Sequence, residues 1–240
     1  MPNGTNHWVQ FWDEQEAFVL GSFECSAETF VRRSAQIVGY MPEDRVLDYG
    51  CGPGSIAARI KDRVAEVYCA DPSDRYVQHC QERFSNDKNV KVVKLSGLRY
   101  FDLEAFPKQH FSKIICHSVL QYYRSPAEIS ELLKAFRTIC QSNAQIILAD
   151  LLVDNGFTRD LKDTWSNMLD GFRYGFILQL IKAPLRAPFR SYLKHRDKRG
   201  LLVVSKSEWA SLLSDLNMQG AFSDERLTIN AGHATMLIHL

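Results

Sequence analysis

The sequence predicts an α/β fold built on a parallel sheet with helices on both faces. Three observations predict it. Short apolar runs alternate with helical patterns from residue 45 to about 150, as strands buried on both sides do. The first of those runs ends in three glycines at alternate positions and then passes into a helix. The 240 residues have ordinary globular composition, 45% hydrophobic and 24% charged, which suits one large α/β domain better than two complete ones.

Strands are expected at residues 45–49, 64–70, 90–95, 111–116 and 145–152, with a last one at 234–240. The helices between them carry start signals. Ser125-Pro126-Ala127-Glu128 offers a capping serine, a proline at the first helical position and a glutamate after it. Ile129, Leu132, Leu133, Phe136 and Ile139 follow at helical spacing. Ser73 can cap a helix carrying Val77, Cys80 and Phe84. Ser205 and Glu208 form a second capping box before Trp209, Leu212, Leu213 and Leu216, with Gly220 as the stop.

Two regions fall outside the alternation. Residues 1–40 hold Trp8, Phe11, Trp12, Phe18, Phe23 and Phe30 and read as two helices, the second capped by Ser26. Residues 154–204 carry a stripe of Trp165, Met168, Leu169, Phe172, Phe176 and Leu180, broken by Pro184 and Pro188. Such a length is too great for a plain connection. The chain therefore divides into an N-terminal helical cover (1–40), a ligand-binding core (41–153), an inserted lid (154–204) and a C-terminal part of the core (205–240).

Composition excludes several classes. No internal repeat is present, and no apolar run approaches the roughly 20 residues that span a bilayer. The first twenty residues carry Asp13, Glu14 and Glu16 and lack the basic-then-apolar order of a secretion signal, so a cytoplasmic location is expected. The formal charge of +1 gives no argument for a nucleic-acid partner. Seven basic residues and one acid nevertheless lie between Lys182 and Arg199, a local charge of +6. That stretch suits a solvated face first, an anionic small molecule next and RNA last. The six cysteines form no C-x-x-C pair and read as reduced, mostly buried thiols, with neither a disulfide frame nor a metal site.

The informative segment is Val46-Leu47-Asp48-Tyr49-Gly50-Cys51-Gly52-Pro53-Gly54-Ser55. Glycine permits positive φ and lets a ligand approach the backbone without meeting a Cβ, and the helix beyond presents free N–H groups. Asp71 ends the next apolar run, 23 residues after Asp48. At a neighbouring strand tip a carboxylate can accept from a ribose diol, or it can serve as a first-turn acid of the Ser73 helix. Gly52, Gly54 and Ala57 also fit a loose dinucleotide fingerprint, so a nucleotide-dependent oxidoreductase stays open. Asp48 argues against a pyrophosphate by like charge and for a cationic ligand group.

The string D-x-G-C-G-P-G closely resembles the first motif of the class I S-adenosyl-L-methionine-dependent methyltransferases. Asp71-Pro72 resembles that family's acidic second motif, and His117-Ser118-Val119-Leu120-Gln121-Tyr122 its stretch after the fourth strand. The resemblance covers residues 36–153 and extends to 205–240. It implies a Rossmann-like sheet of seven strands with the last pair antiparallel. It further implies that Gly50, Cys51, Gly52 and Gly54 surround the methionine part of the cofactor, that Asp48 reaches its amino group and that Asp71 takes the ribose hydroxyls. The family's usual aspartate after the third strand is replaced by Ser96-Gly97-Leu98-Arg99, leaving the adenine to the Ser96 hydroxyl, the backbone near Gly97 and Leu98, and apolar packing.

Methyl transfer needs alignment and desolvation, and a base only where the acceptor must lose a proton. By position His117 is the candidate base and Gln121 an orienting group; Tyr122, Tyr123 and His195 are weaker candidates. No Asn/Asp-Pro-Pro-aromatic string follows the fourth strand, and Cys140-Gln141 lacks a preceding proline. These absences point away from nucleic-acid bases and toward nitrogen or oxygen of a small metabolite, anionic or aromatic. Trp8, Trp12, Phe23, Tyr122, Trp165, Phe172 and Tyr174 are the candidates for an apolar acceptor pocket. A methyltransferase fold kept as a binding subunit without turnover also stays open.

Overall fold

A computed structural model describes residues 7–14, 20–96, 101–154, 157–173, 175, 196 and 200–240. The N-terminal cover is two helices, α1 (His7–Glu14) and α2 (Leu20–Val38). The second begins before Ser26, which therefore lies inside the helix and caps nothing. The core follows as β1 (Arg45–Tyr49), α3 (Ala57–Ile60), β2 (Glu66–Asp71), α4 (Asp74–Arg83), β3 (Val90–Lys94), β4 (Phe111–His117), α5 (Pro126–Ile139) and β5 (Cys140–Leu151). Then come α6 (Phe157–Arg173), α7 (Lys206–Asp215), β6 (Gln219–Phe222) and β7 (Ala234–His239).

The seven strands pair in the order β3-β2-β1-β4-β5-β7-β6. Those from β3 to β5 are parallel, while β7 runs antiparallel to both β5 and β6. This is the seven-stranded, mostly parallel Rossmann-like sheet that the resemblance implied. Chain order reverses between β1 and β4, and the crevice at such a switch point opens at the carboxyl ends of the strands.

Successive strand residues point to opposite faces, and each face buries its own core. Leu47, Tyr68, Ile114, Cys116, Ile146 and Leu148 pack against α5 and α7. Val46, Val67, Cys69, Ile115 and Ile147 pack against α2, α3 and α4. The same alternation sends Asp48, Asp71 and His117 to the second face.

The caps follow local chemistry. Ser73 accepts from the Tyr76 N–H at 3.2 Å, and Ser205 with Glu208 completes a reciprocal box. Ser125 makes no cap bond; Glu128 instead accepts from the Arg124 N–H at 2.9 Å, one residue earlier than expected. Gly220 is not the stop of α7. Asn217, at φ 49°, takes the left-handed position there, and Met218 N–H donates back to the Leu213 carbonyl at 2.9 Å.

Helix α2 is clamped over the glycine turn by charge. Glu24 accepts from Ser55 Oγ (2.6 Å), Arg59 (2.6 Å) and Arg83 (3.0 Å). Among the described residues no helix is long and apolar enough to cross a membrane.

Candidate active site

A cavity of about 140 Å³ lies at the carboxyl ends of β1, β2 and β4. Its floor is the turn after β1. Gly50 and Cys51 donate backbone hydrogen bonds to the Ala70 carbonyl at 2.7 and 3.1 Å, which folds the turn back toward β2. Gly50, Gly52 and Gly54 all hold positive φ, at 71°, 53° and 72°.

The three glycines do different work. A Cβ on Gly50 would meet Val119 Cγ2 at 2.4 Å. One on Gly54 would meet Phe84 at 2.6 Å and Cys80 Sγ at 3.1 Å, so Gly54 lets α4 approach and does not line the cavity. At Gly52 the nearest atom stands 3.7 Å away on Phe23, across the cavity wall. Gly52 is thus the bare-backbone position at the cavity, whereas Gly54 is occupied by packing against α4.

Two carboxylates border this floor. Asp48 is 2% exposed, and its Oδ2 has no hydrogen-bond partner. Burial first, then the neighbouring Cys80, pushes its pKa up to about 8, against a hydrogen bond from the Ala57 N–H. A buried, unmatched acceptor of this kind is costly unless a donor or cation arrives. Asp71 is engaged twice: Oδ2 accepts from Gly52 N–H at 2.9 Å and Oδ1 from Ser73 N–H at 2.8 Å. Each oxygen keeps a second lone pair. Burial pushes this group up to about 7.

The opposite wall begins with His117. Ser118 Oγ donates to Asp150 Oδ2 at 2.5 Å and lies 3.1 Å from His117 Nδ1. The hydroxyl has one proton and gives it to the carboxylate, so Nδ1–H must donate to Ser118. Nε2 is then the lone-pair nitrogen, and it is buried without a partner. Burial lowers the His117 pKa, against the pull of Asp150. Asp150 also accepts from Asn230 Nδ2 and His233 Nδ1, each at 2.9 Å. Both Ser118 and Asp150 sit at positive φ (58° and 66°), strain that clusters where geometry is over-determined.

Aromatic rings close the cavity. Trp8 meets Tyr122 at a tilt with centroids 4.7 Å apart, and Trp12 meets Tyr122, Phe23 and Tyr76 at 5.7, 5.9 and 6.4 Å. Helix α1 thus supplies the roof.

The cavity therefore gathers Trp8, Trp12, Phe23, Asp48, Gly50, Cys51, Gly52, Asp71, Pro72, His117 and Tyr122 from the sequence-based set. Tyr123 also lines it and shares a 2.8 Å hydrogen bond with Tyr49. Four further residues of that set, like Gly54, do not line the cavity. Gln121 is buried away from the cavity, because successive residues of the 3₁₀ turn Leu120–Tyr122 point about 120° apart and Tyr122 takes the inward direction. Ser96 is exposed at the end of the edge strand β3 and does not reach the cavity. Trp165 and Phe172 are 67% and 79% exposed on the outer side of α6. Gly97, Leu98, Tyr174 and His195 lie outside the described residues, as does the basic stretch apart from Arg196.

Sequence reasoning missed Tyr76, Ser118 and Asp150. A signal for Asp150 was available: it ends an apolar strand as Asp48 and Asp71 do.

Comparison with known proteins supports the assignment of this architecture. Residues 46–143 match the family model described as a methyltransferase domain. A SAM-dependent methyltransferase of the DUF858 family from Leishmania major superposes with a TM-score of 0.62 at 14% identity, covering 96% of this chain and 80% of that one. An uncharacterized methyltransferase of Schizosaccharomyces pombe is 26% identical over 117 residues, 44% of this chain and 42% of its own length. Chondramide synthase of Chondromyces crocatus is 27% identical over 139 residues, 57% of this chain and 3% of the synthase. The chain thus spans less than half of these two curated relatives. Motif, matched domain and sheet order together define a class I S-adenosyl-L-methionine-dependent methyltransferase fold. S-adenosyl-L-methionine is the cofactor that a domain of this class takes. The residues fit it: Asp48 Oδ2 is a buried, unmatched carboxyl oxygen that an ammonium group would pair with and hold ionised, and Gly52 presents no side chain to the cavity.

Proposed function

We propose that this protein transfers a methyl group from S-adenosyl-L-methionine to a nitrogen or oxygen of a small metabolite. The observation that carries the reading is the meeting, in one cavity, of the unpartnered Asp48 carboxylate oxygen with the unpartnered Nε2 of His117. When bound, the cofactor supplies an already activated methyl group. The chain's residues bind, align and dry the site. Asp48 holds the amino group, Asp71 offers its remaining lone pairs to the ribose diol, and Gly52 admits the ligand against the backbone. Cys51 and Pro72 complete that wall.

His117 Nε2 accepts the proton that the acceptor releases. Asp150, through Ser118, keeps the ring in the tautomer that leaves Nε2 free. Trp8, Trp12, Phe23 and Tyr122 exclude water and offer ring faces to a flat or cationic acceptor. No Lys or Arg lines the cavity among the described residues, which favours an aromatic or amine acceptor over an anionic one. Six free cysteines suit a reducing cytoplasmic location.

Calorimetric titration with S-adenosylhomocysteine tests the cofactor half of the reading. Wild type is expected to bind, with no heat from a reduced nicotinamide. Asp48→Asn is expected to bind more than about tenfold more weakly, a loss of about 1.4 kcal/mol or more. An empty site at millimolar S-adenosylhomocysteine would overturn it. Methyl transfer to a panel of small amines and phenols, read by mass spectrometry, tests the rest. His117→Ala should slow transfer by about 10²–10⁴-fold while leaving homocysteine-product affinity within twofold. Cofactor binding with no transfer to any acceptor would favour the non-catalytic subunit.

A further inference from the structure

We propose that Cys51, Cys69 and Cys80 form a binding site for a thiophilic divalent d¹⁰ ion of the zinc type. Cys51 is in the glycine turn, Cys69 on β2 and Cys80 on α4. Nothing in their spacing resembles a metal motif, yet the fold brings the three thiols together. Their Sγ atoms all lie within 4.8 Å of one another, and Cys51 and Cys80 are 4.0 Å apart.

That separation is informative. Zinc–thiolate bonds are about 2.3 Å, so three sulfurs placed symmetrically around one ion stand roughly 3.8–4.0 Å apart. The Cys51–Cys80 pair already meets this, and the widest allowed pair needs a contraction of about 1 Å or less. A disulfide requires sulfurs at about 2.05 Å, and all six cysteines are free.

The surroundings also suit a cation. Cys69 and Cys80 are fully buried, whereas Cys51 is half-buried and lines the cavity. An ion can therefore enter from the cavity and keep an open fourth position toward it, the arrangement of three-ligand zinc sites.

The binding step balances simply. Three metal–sulfur bonds form, three S–H protons pass to solvent, and the ion with its three thiolates carries a net charge of −1. No electron is transferred. The ion would staple the glycine turn to β2 and α4. It stands apart from the methyl-transfer reading, because the metal alone tests it.

The experiment uses the full chain, reduced and stripped with chelator, titrated with Cd(II) and Zn(II). Cd(II) is expected to give a sulfur-to-metal ultraviolet band saturating at one equivalent, with about three protons released per ion in weak buffer. Zn(II) should compete at the same stoichiometry and raise the unfolding temperature. Cys51→Ser, at the half-buried position, should keep its circular dichroism and weaken binding more than about tenfold; Cys69→Ala should do the same. Cys140→Ser, buried outside the trio, should bind as wild type does. Absence of the band in wild type, a band unchanged in Cys51→Ser, or equal loss in Cys140→Ser would each overturn the site.

Discussion

Glycine at positions 52 and 54 shows how one residue type at one spacing serves two ends. Both hold positive φ, so any side chain there costs about 1–2 kcal/mol in backbone strain. The difference lies in what a Cβ would meet. At 52 it enters ordinary contact with Phe23 at 3.7 Å; at 54 it strikes the Phe84 ring and Cys80. Gly52→Ala is therefore expected to lower the unfolding midpoint by only a few degrees, about 2–4 °C per kcal/mol for a chain of this size, while abolishing S-adenosylhomocysteine binding. Gly54→Ala should lose stability by about 3 kcal/mol and weaken binding only in proportion to unfolding. Differential scanning calorimetry beside ligand titration separates the two, and matching profiles for both variants would contradict the division of labour. The turn itself was legible in the sequence, because strand, glycine spacing and acid are all local. The separate tasks were not, because each depends on a partner far along the chain: Phe23, Phe84 or Val119. The same reason hid the convergence of Cys51, Cys69 and Cys80.

Helix α6 carries the lesson at the scale of an element. Its periodicity marks a helix correctly, and Trp165, Met168, Leu169 and Phe172 do share one side. That side faces outward, with exposures from 47% to 79%. The inner side is polar and is fastened by specific bonds. Asp170 pairs with Arg33 at 2.5 Å and Arg226 at 3.1 Å, and Ser166 Oγ donates to the Ile229 carbonyl at 2.7 Å. A hydrophobic stripe gives the axis of amphipathicity but not which side meets the body; here the ion pairs decide, and their arginines sit in α2 and before β7. Trp165→Ser and Phe172→Ser are accordingly expected to change the unfolding free energy by no more than about 0.5 kcal/mol. Asp170→Ala strips two arginines of their buried partner and should cost about 3 kcal/mol. Urea denaturation checks the ranking; a larger loss from Trp165→Ser than from Asp170→Ala would show that the outer side is packed. By contrast, the parallel strands of the sheet were legible to within five residues at either end, because burial on both faces leaves each with a near-continuous apolar run.

Across the whole molecule, one buried histidine joins three parts that lie far apart in sequence. His233, in the connection between β6 and β7, reaches Asp150 on β5 at 2.9 Å and Asp163 on α6 at 3.2 Å. Asp163 also accepts from Gly232 N–H at 2.6 Å, and Asn230 binds Asp150. Burial disfavours the charged ring, but the two carboxylates outweigh it and hold the His233 pKa at about 10. Asp150 is correspondingly held well below the usual carboxylate range, burial being outweighed by His233 and Ser118. The sign follows from linkage. A histidine with a raised folded pKa contributes its full stability below its unfolded pKa, about 6.5, and loses it as pH rises toward 10. The depressed Asp150 contributes above about 3.9, its unfolded value, and is lost as pH falls below that. Stability is therefore expected to decline between pH 7 and pH 10, at up to about 1.4 kcal/mol per pH unit from this one group. His233→Gln should be less stable at pH 6 and show a much flatter profile over that window. Because Asp150 also orders Ser118 and His117, the same variant should disturb the His117 tautomer, visible in ring-nitrogen shifts by NMR. A wild-type profile that stays level from pH 7 to 10, or a His233→Gln profile as steep as wild type, would show that the histidine is neutral in the folded state and that the three-way junction is held by hydrogen bonds alone.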